Sequence, residues 1–481
     1  MLFRRFYDDQ LAQASYLIGC QRSGEAVVVD PNRDAWMYLA AAEAEGVTIA
    51  AVTETHIHAD FVSGARELSA LTGARMFLSN AGPVDWKYGF SDEGRATPLD
   101  HGDRIELGSV ILQAVHTPGH TPEHLCFLVT DGAAATEPMG VLTGDFVFVG
   151  DVGRPDLLEK AAKMEGVSDQ AARDLFQSLR WFLTLPEHLQ VWPGHGAGSA
   201  CGKGIGAVPQ STVGYEKRTN WALDIRDEAA FVGQVLFGQP EPPRYFGVMK
   251  RINRDGPRIL GGFPSPPLLA ADELPQLLAA GATVVDIRPV AAFAAGHVPG
   301  TINVPFNTGF TTYGGSVLPY DRPIHLLSDG VPLTIARAVR NLVLIGLDQV
   351  PGWFDGSAIA RWEQQHSLAT IPQLTPAAAV ERVKAGAVLI DVRGESEWRG
   401  GHLPGARLLP LPELVERAAQ IPRDRPVVLH CQGGSRSAIA ASLLRANGWS
   451  DVANLTGGYS VWLAEGRPVE KGRGDEGTGG R

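Results

Sequence analysis

Cysteine is scarce in this sequence, which has four among 481 residues. Cys20, Cys126, Cys201 and Cys431 are widely scattered, which argues against a disulfide framework and against a cysteine-rich zinc site. In a reducing compartment each thiol therefore serves either packing or chemistry. Cys126 lies within the apolar run Leu125–Val129 and is predicted to be a buried small side chain.

The sequence also lacks an apolar run long enough to cross a bilayer, and its start lacks the apolar segment of a signal peptide. Positive charge is in deficit, since the net charge is −11 and no basic block offsets it. We therefore predict a cytoplasmic protein with no nucleic-acid partner and no membrane partner. The apolar content of 44% is ordinary for globular proteins, and the length is enough for three domains.

Histidine and aspartate, by contrast, recur at the ends of predicted strands in the first half. The run Thr55–Phe61, which reads Thr-His-Ile-His-Ala-Asp-Phe, follows the apolar run Ile49–Thr53. The segments His116–Thr121, Thr143–Asp145 and Trp192–His195 also carry such residues. A single histidine at a strand end is more often a surface or hydrogen-bonded residue, but four such ends are hard to generate by chance. Imidazole and carboxylate ligands together indicate zinc or non-haem iron.

This series of residues resembles the ligand series of the metallo-β-lactamase fold. Its members are His56, His58, Asp60, His120, Asp145 and His195. The usual first motif is H-x-H-x-D-H, and here Phe61 stands at its last position. The resemblance therefore implies one metal on His56, His120 and Asp145. It leaves His58, Asp60 and His195 as ligands of a second metal or as groups beside the first one.

Two histidines and one carboxylate match the facial arrangement of non-haem Fe(II) oxygenases. The series most resembles that of the persulfide dioxygenases, whose iron sits on the residues corresponding to these three. Gly153–Asp156 also resembles their G-R-x-D signature, in which the arginine, here Arg154, faces the thiol substrate. The resemblance implies one Fe(2+) per chain and an αββα sandwich over residues 1–262. It also implies that O2 oxidises a low-molecular-weight thiol persulfide, of glutathione, coenzyme A or a similar carrier, to sulfite.

The second half contains an internal repeat. Val285–Arg288 is matched by Ile390–Arg393, and Gly296–Gly300 by Gly401–Gly405, both at an offset of 105 residues. Each copy predicts a small α/β domain with a parallel sheet. Both copies resemble rhodaneses, the sulfurtransferase fold. We place the copies at residues 268–366 and 374–468, and predict a disordered tail at 469–481 because Gly and charge dominate there.

The second copy carries Cys431 on a loop between a strand ending at His430 and a predicted helix. Backbone N–H groups and the helix dipole at such a position favour the reactive thiolate. The C-x-x-x-x-R spacing to Arg436 matches the rhodanese active loop, so Cys431 is the predicted persulfide carrier. Arg436 is expected to hold the anionic end of a thiosulfate-like donor. The other predicted substrate-binding residues of the loop are Gln432, Gly433, Gly434 and Ser435.

Two rival interpretations of Cys431 are a phosphatase loop and a structural cysteine in a turn. Cysteine-dependent phosphatases carry five residues between Cys and Arg, and the four found here favour sulfur transfer. The first copy has no cysteine at all in the equivalent region, which begins near Ser328. The alignment slips by about three residues there, so Ser328 is one candidate for the replaced position. Since a hydroxyl does not carry sulfane sulfur and Asp329 repels anions, we predict an inert domain with a structural or docking role.

Cys201 follows His195 on a glycine-rich loop and could reach the metal cleft. It resembles a loop cysteine of three-domain persulfide dioxygenase–sulfurtransferases, which implies either a sulfur relay or, alternatively, a solvent-exposed loop thiol. The resemblance implies sulfite and thiosulfate as further small-molecule partners, and we expect a homo-oligomer. Two other functions stay open. A zinc thioesterase of the glyoxalase II kind fused to a rhodanese is disfavoured by Phe61, and a redox-sensing scaffold is disfavoured by the intact ligand series.

Overall fold

The computed structural model describes residues 1–91, 94–157, 159, 166–239 and 241–471. The chain divides into two compact units, one of Met1–Phe263 with Val343–Gly346 and one of Pro264–Leu342 with the residues from Leu347 onward. Among the described helices, none combines the length and apolarity needed to cross a membrane. The boundaries predicted for the three domains stay predictions, and residues 472–481 of the predicted tail lie outside the described residues.

The first unit contains two six-stranded sheets. Its strands are β1 (Leu2–Asp8), β2 (Gln13–Cys20), β3 (Glu25–Val29), β4 (Thr48–Thr53), β5 (Arg75–Ser79), β6 (Ala96–Leu99), β7 (Arg104–Leu107), β8 (Val110–His116), β9 (Leu125–Asp131), β10 (Gly140–Gly144), β11 (Gln190–Pro193) and β12 (Ser211–Thr212). The first sheet has the order β1-β2-β3-β4-β5-β6, and the second β12-β11-β10-β9-β8-β7. Strands β3 to β6 pair in parallel, as do β10 and β11, whereas the remaining pairs are antiparallel.

Helices cover the outer faces of these two sheets. They are α1 (Ala35–Glu45), α2 (Ala65–Thr72), α3 (Ser168–Thr184), α4 (Val213–Thr219), α5 (Trp221–Asp224), α6 (Glu228–Leu236) and α7 (Phe246–Asp255). On β2, Tyr16 and Ile18 pack toward the second sheet, whereas Leu17 packs toward α1 and α2. Because side chains alternate between the faces of a strand, a strand buried on both faces is apolar throughout. Helix α3 covers the second sheet in the same way, which confirms the predicted αββα sandwich.

The second unit contains two parallel sheets. Its strands are β13 (Thr283–Asp286), β14 (Ile302–Asn303), β15 (Ile324–Leu327), β16 (Trp353–Phe354), β17 (Gln373–Leu374), β18 (Val388–Asp391), β19 (Arg407–Leu408), β20 (Val427–His430) and β21 (Val452–Leu455). The strand orders are β14-β13-β15-β16 and β17-β21-β20-β18-β19, with every pair parallel. Two rhodanese-like domains with parallel sheets are thereby confirmed.

Helices connect the strands of both sheets in this unit. They are α8 (Glu273–Ala279), α9 (Val290–Ala295), α10 (Phe310–Val317), α11 (Pro332–Leu344), α12 (Gly356–Glu363), α13 (Pro376–Lys384), α14 (Glu395–Gly400), α15 (Leu414–Arg417), α16 (Ser435–Ala446) and α17 (Gly458–Ala464). Strand register resolves the alignment slip between the two copies. Asp286 pairs with Leu327, and the equivalent Asp391 pairs with His430. The residue after each strand is therefore equivalent, which places Ser328 at the position of Cys431.

Candidate metal centre and sulfur-transfer loop

The predicted metal ligands His56, His120 and Asp145 come together in the first unit. Asp145 Oδ2 lies 3.6 Å from His120 Nε2 and 4.0 Å from His56 Nε2. All three side chains are buried, and their ligand atoms lie within 4.8 Å of one another. Each follows a strand end, since His56 comes after β4, His120 after β8 and Asp145 after β10. Residues that are far apart in the chain are thus brought together by the strands that precede them.

The side-chain atoms of the triad that face one another suit a metal ion. His56 Nδ1 pairs with Thr55 Oγ1 at 2.9 Å, and His120 Nδ1 with the Arg154 carbonyl at 3.2 Å, so that each Nε2 faces the centre. Burial lowers the pKa of both histidines, which keeps the imidazoles neutral as a ligand requires. Asp145 Oδ2 has no hydrogen-bond partner among the described residues. Two neutral imidazoles and a carboxylate fit iron or zinc.

His195 does not join this triad but bridges two carboxylates beside it. Its Nδ1 lies 2.7 Å from Asp145 Oδ1 and its Nε2 lies 2.7 Å from Asp60 Oδ2. Burial opposes protonation, but the charges of Asp145 and Asp60 prevail and raise the pKa of His195 well above its ordinary value. In this arrangement both ring nitrogens of His195 face carboxylates. His195 therefore orients Asp145 so that Oδ2 faces the two histidines.

Cys201 lies beside His195 and Asp60, and the ligand atoms of these three residues also lie within 4.8 Å of one another. The thiol is only 2% exposed, so the alternative of a solvent-exposed loop thiol is wrong. Burial and the nearby carboxylates of Asp145 and Asp60 raise the pKa of Cys201. The sequence placed Cys201 near the cleft through the shared loop, but gave no sign that it would face Asp60.

His58 lies against His56, with the ring centroids 4.2 Å apart, but is not one of the clustered ligands. Its Nε2 lies 3.1 Å from Asp30 Oδ1, and its ring packs on Phe61 with the centroids 4.4 Å apart. Burial disfavours the charged ring, but Asp30 outweighs it and raises the pKa of His58 to about 9. Asp30, which also accepts from the Thr55 N–H at 2.6 Å, was missed by the sequence analysis. Its signal was available, because Asp30 ends an apolar strand in the same manner as the other site residues.

Arg154 is fully buried and held by protein groups. Its Nε and Nη2 donate to the two carboxylate oxygens of Asp156 at 2.9 and 2.7 Å, and Nη1 donates to the Ala200 carbonyl at 3.1 Å. Arg154 thereby ties the Gly153–Asp156 turn to the loop that carries Cys201. This geometry gives Arg154 a structural role, and its contact with a thiol substrate stays a prediction.

Cys431 lies between β20 and α16 in the second unit and is buried. Its Sγ accepts from the Gly434 N–H at 3.1 Å and from the Ser437 hydroxyl at 3.4 Å. Gly434 has a φ of 97°, a backbone conformation that favours glycine and turns this N–H toward the sulfur. Two hydrogen-bond donors, one from the loop and one from α16, therefore face the sulfur atom. Ser437 was not predicted as a partner of the sulfur.

Arg436 lies in the first turn of α16 and pairs with Glu397 of α14. Nη1 and Nη2 donate to the two carboxylate oxygens at 2.6 and 2.7 Å. Despite burial, Glu397 raises the pKa of Arg436, and Arg436 lowers that of Glu397. An anionic donor must therefore compete with Glu397 for the guanidinium group. Glu397 was not identified from the sequence.

The other predicted residues of the Cys431 loop lie around the Arg436–Glu397 pair. Gln432 accepts from Arg393 Nη1 at 3.3 Å and donates to Ser460 at 2.9 Å, and it is exposed at the rim. Gly433 is exposed beside it, and Ser435 begins α16. These residues shape the loop around the sulfur, and their contact with substrate stays a prediction.

The equivalent loop of the first rhodanese-like domain has the same length but different chemistry. Ser328 Oγ accepts from the Gly330 N–H at 2.9 Å, as Cys431 does from Gly434. Four residues separate the strand from the helix in both domains, which places Leu333 at the position of Arg436. Leu333 is 68% exposed. The first loop therefore has neither a thiol nor a guanidinium group at these positions.

Both units are similar to known proteins. The family model of the metallo-beta-lactamase superfamily matches residues 8–195, and that of the rhodanese-like domain matches residues 270–350 and 375–465. The crystal structure of a metallo-beta-lactamase from Staphylococcus aureus is 41% identical, with a TM-score of 0.66, and the alignment covers 74% of this chain and 99% of that one.

Three curated relatives cover single domains of the chain. A mitochondrial persulfide dioxygenase of Bos taurus is 26% identical over 40% of this chain and 68% of its own length. A hydroxyacylglutathione hydrolase of Rhodospirillum rubrum is 29% identical over 37% of this chain and 60% of its own length. A sulfurtransferase of Allochromatium vinosum is 38% identical over 17% of this chain and 77% of its own length.

Proposed function

Because this chain belongs to the metallo-beta-lactamase superfamily and carries two rhodanese-like domains, we propose that it is a persulfide dioxygenase fused to a sulfurtransferase. The first unit oxidises a low-molecular-weight thiol persulfide with O2 and releases sulfite. The metal is one Fe(2+) on His56, His120 and Asp145. Cys431 transfers sulfane sulfur in the second unit. Cytoplasmic location and a homo-oligomeric state stay predictions.

One observation carries the choice of a single metal. Asp145 Oδ2 is unpaired among the described residues and lies beside Nε2 of both His56 and His120. In the second cluster, by contrast, His195 places both ring nitrogens against carboxylates. Phe61 occupies the position at which a two-metal site of this superfamily has its histidine. A mononuclear site with two imidazoles and one carboxylate favours iron oxygenase chemistry over two-zinc hydrolysis.

The chain's own residues prepare this site for chemistry. A bound iron would supply the redox reaction with O2, and the protein supplies the geometry and the environment. Hydrogen bonds at the two Nδ1 atoms hold the rings of His56 and His120, and His195 holds Asp145. The whole cluster is buried, which limits the access of water to the persulfide.

The sulfurtransferase step follows from the chemistry of Cys431. Its thiolate attacks the outer sulfur of thiosulfate, the S–S bond of the donor breaks, and sulfite leaves with the bonding electron pair. The resulting protein persulfide passes its outer sulfur to a thiol acceptor or, in the reverse direction, to sulfite. Because the first unit releases sulfite and consumes persulfide, the two sites share intermediates, and fusion raises their effective concentration.

Metal analysis together with O2 uptake tests this proposal. We expect about one iron per chain and O2 consumption that depends on an added persulfide of glutathione, coenzyme A or another thiol. Two zinc ions per chain, with hydrolysis of a glutathione thioester and no O2 uptake, would instead establish the hydrolase that the hydroxyacylglutathione hydrolase relative suggests.

A further inference from the structure

The Cys-less rhodanese-like domain packs against the helix that carries the sulfur-transfer loop. Strand β14 lies on α16, and the Asn303 N–H donates to Ser442 Oγ at 2.9 Å. The Asn303 side chain is fixed in turn, since Nδ2 donates to the carbonyls of Asp286 and Arg288 at 2.9 Å each. Every side chain from Ser437 to Leu444 on α16 is buried. The two rhodanese-like domains therefore contact each other along α16, the helix that follows Cys431.

A second contact between the two domains approaches the rim of the loop. Helix α10 of the Cys-less domain packs against the 3-10 turn Leu411–Glu413. The Leu411 N–H donates to the Val392 carbonyl at 3.1 Å, and the next residue, Arg393, donates to Gln432 at 3.3 Å. Because Gln432 follows Cys431 directly, α10 lies beside the sulfur-transfer loop.

Tyr313 is a half-buried residue of α10. Arg436, Cys431 and Glu397 lie near enough to its phenol for their charges to affect its pKa. A Cβ atom at Gly309 would lie 2.4 Å from the Tyr313 ring, so the glycine leaves the space that this ring orientation requires. Burial raises the pKa of Tyr313, which keeps its hydroxyl protonated and able to donate.

A second donor assists the binding of an anion here because Glu397 competes with that anion for Arg436. Both of its terminal nitrogens donate to Glu397, which neutralises the guanidinium charge. The sulfonate end of thiosulfate is an anion that needs hydrogen-bond donors wherever it leaves water. A protonated phenol supplies a donor without adding negative charge beside the Cys431 thiolate.

We propose that Tyr313 of the Cys-less domain is a specificity-determining residue of the sulfur-transfer site, and that its hydroxyl binds a sulfonate oxygen of thiosulfate-type donors and of sulfite. This assignment rests on the proposed sulfurtransferase activity of Cys431. It gives the Cys-less domain a direct part in selecting the substrate of its neighbour.

Steady-state kinetics of the full chain test the assignment through Tyr313→Phe, which removes only the hydroxyl. We expect the KM for thiosulfate to rise about tenfold with kcat unchanged, as for the loss of one hydrogen bond to an anion. The KM for glutathione persulfide, which has no sulfonate group, should stay within about twofold. The matched control is Tyr320→Phe, because Tyr320 is in the same domain and its hydroxyl has no partner among the described residues.

A second measurement does not depend on turnover. Sulfite should protect Cys431 from alkylation by iodoacetamide, followed on the Cys431 peptide by mass spectrometry. We expect the half-protecting sulfite concentration to rise about tenfold in Tyr313→Phe and to stay constant in Tyr320→Phe. Equal losses with both sulfur donors, or sulfite protection that is absent or independent of Tyr313, would overturn the assignment. Tyr313-dependent protection in a chain that transfers no sulfur would instead refute the proposed sulfurtransferase and leave the anion site standing.

Discussion

The ion pair between Glu397 and Arg436 allows the anion site of the sulfur-transfer loop to be tested directly. The two side chains meet fork to fork at 2.6 and 2.7 Å, and they remain 32% and 24% exposed, so that solvent screens part of their attraction. A partly exposed bidentate pair contributes about 1 kcal/mol. Thiosulfate that binds Arg436 must displace Glu397 and give up this contribution. Since RT is near 0.59 kcal/mol, Glu397→Gln should lower the KM for thiosulfate roughly fivefold.

The assay is thiosulfate-dependent sulfur transfer from Cys431 to cyanide, with KM and kcat determined separately. Glutamine keeps one oxygen to accept the Gly394 N–H, which Glu397 now accepts at 3.1 Å, so that the start of α14 is preserved. Glu395→Gln is the matched control, because Glu395 lies on the same helix and pairs with the exposed Arg399. An unchanged or higher KM in Glu397→Gln, with the control unaffected, would show that Arg436 does not bind the donor.

The same pair predicts a dependence of stability on pH. Arg436 lowers the pKa of Glu397 below its ordinary value of 4.5. A carboxyl group whose pKa is lowered on folding stabilises the fold above its unfolded pKa, and this contribution is lost as the pH falls through the folded one. The difference in unfolding free energy between wild type and Glu397→Gln should therefore be constant above about pH 4.5 and shrink at lower pH. Urea titrations at several pH values measure it, and a difference that grows toward low pH would contradict the sign.

Three further substitutions separate the two proposed activities. Asp145→Ala should reduce iron binding at least about a hundredfold and stop persulfide-dependent O2 uptake while sparing sulfur exchange; retained iron in the purified variant would show that the ligand set is wrong. Cys431→Ser should reduce sulfur exchange below about one percent and leave O2 uptake intact, because a hydroxyl does not carry sulfane sulfur; loss of both would refute independent sites. Ser328→Cys in the Cys431→Ser background should not restore exchange, since Leu333 occupies the position of Arg436, and recovered activity would show that the arginine is dispensable.

Much of the fold could be predicted from local patterns of residues in the sequence. Strands such as β2 and β3 are buried on both faces, so their apolar runs are continuous and visible in the sequence. The repeat of D-x-R and G-H-x-P-G signatures marked two similar domains, because the same backbone turns need the same residues. The three predicted ligands His56, His120 and Asp145 do come together in the structure, since each follows a strand end.

The choice among the remaining polar residues could not be predicted. The pattern offered His58, Asp60 and His195 alike as ligands of a second metal, but their partners lie on other strands. His58 turns to Asp30 because a carboxylate ends the neighbouring strand β3. His195 bridges Asp60 and Asp145, which are separated by 85 positions in the chain. Periodicity and spacing carry no information on such pairings.

Strand ends, glycine turns and the C-x-x-x-x-R spacing are local properties, so the elements, the repeat and the types of side chain at each site could be read from the residue order. Which of their atoms remain without a partner depends on the folded arrangement. It left Asp145 Oδ2 open among the described residues, paired Arg436 with Glu397, and packed α10 of one rhodanese-like domain against the turn Leu411–Glu413 of the other. Hydrogen bonds and charges between distant segments depend on distances of a few ångströms, and folding alone sets these distances.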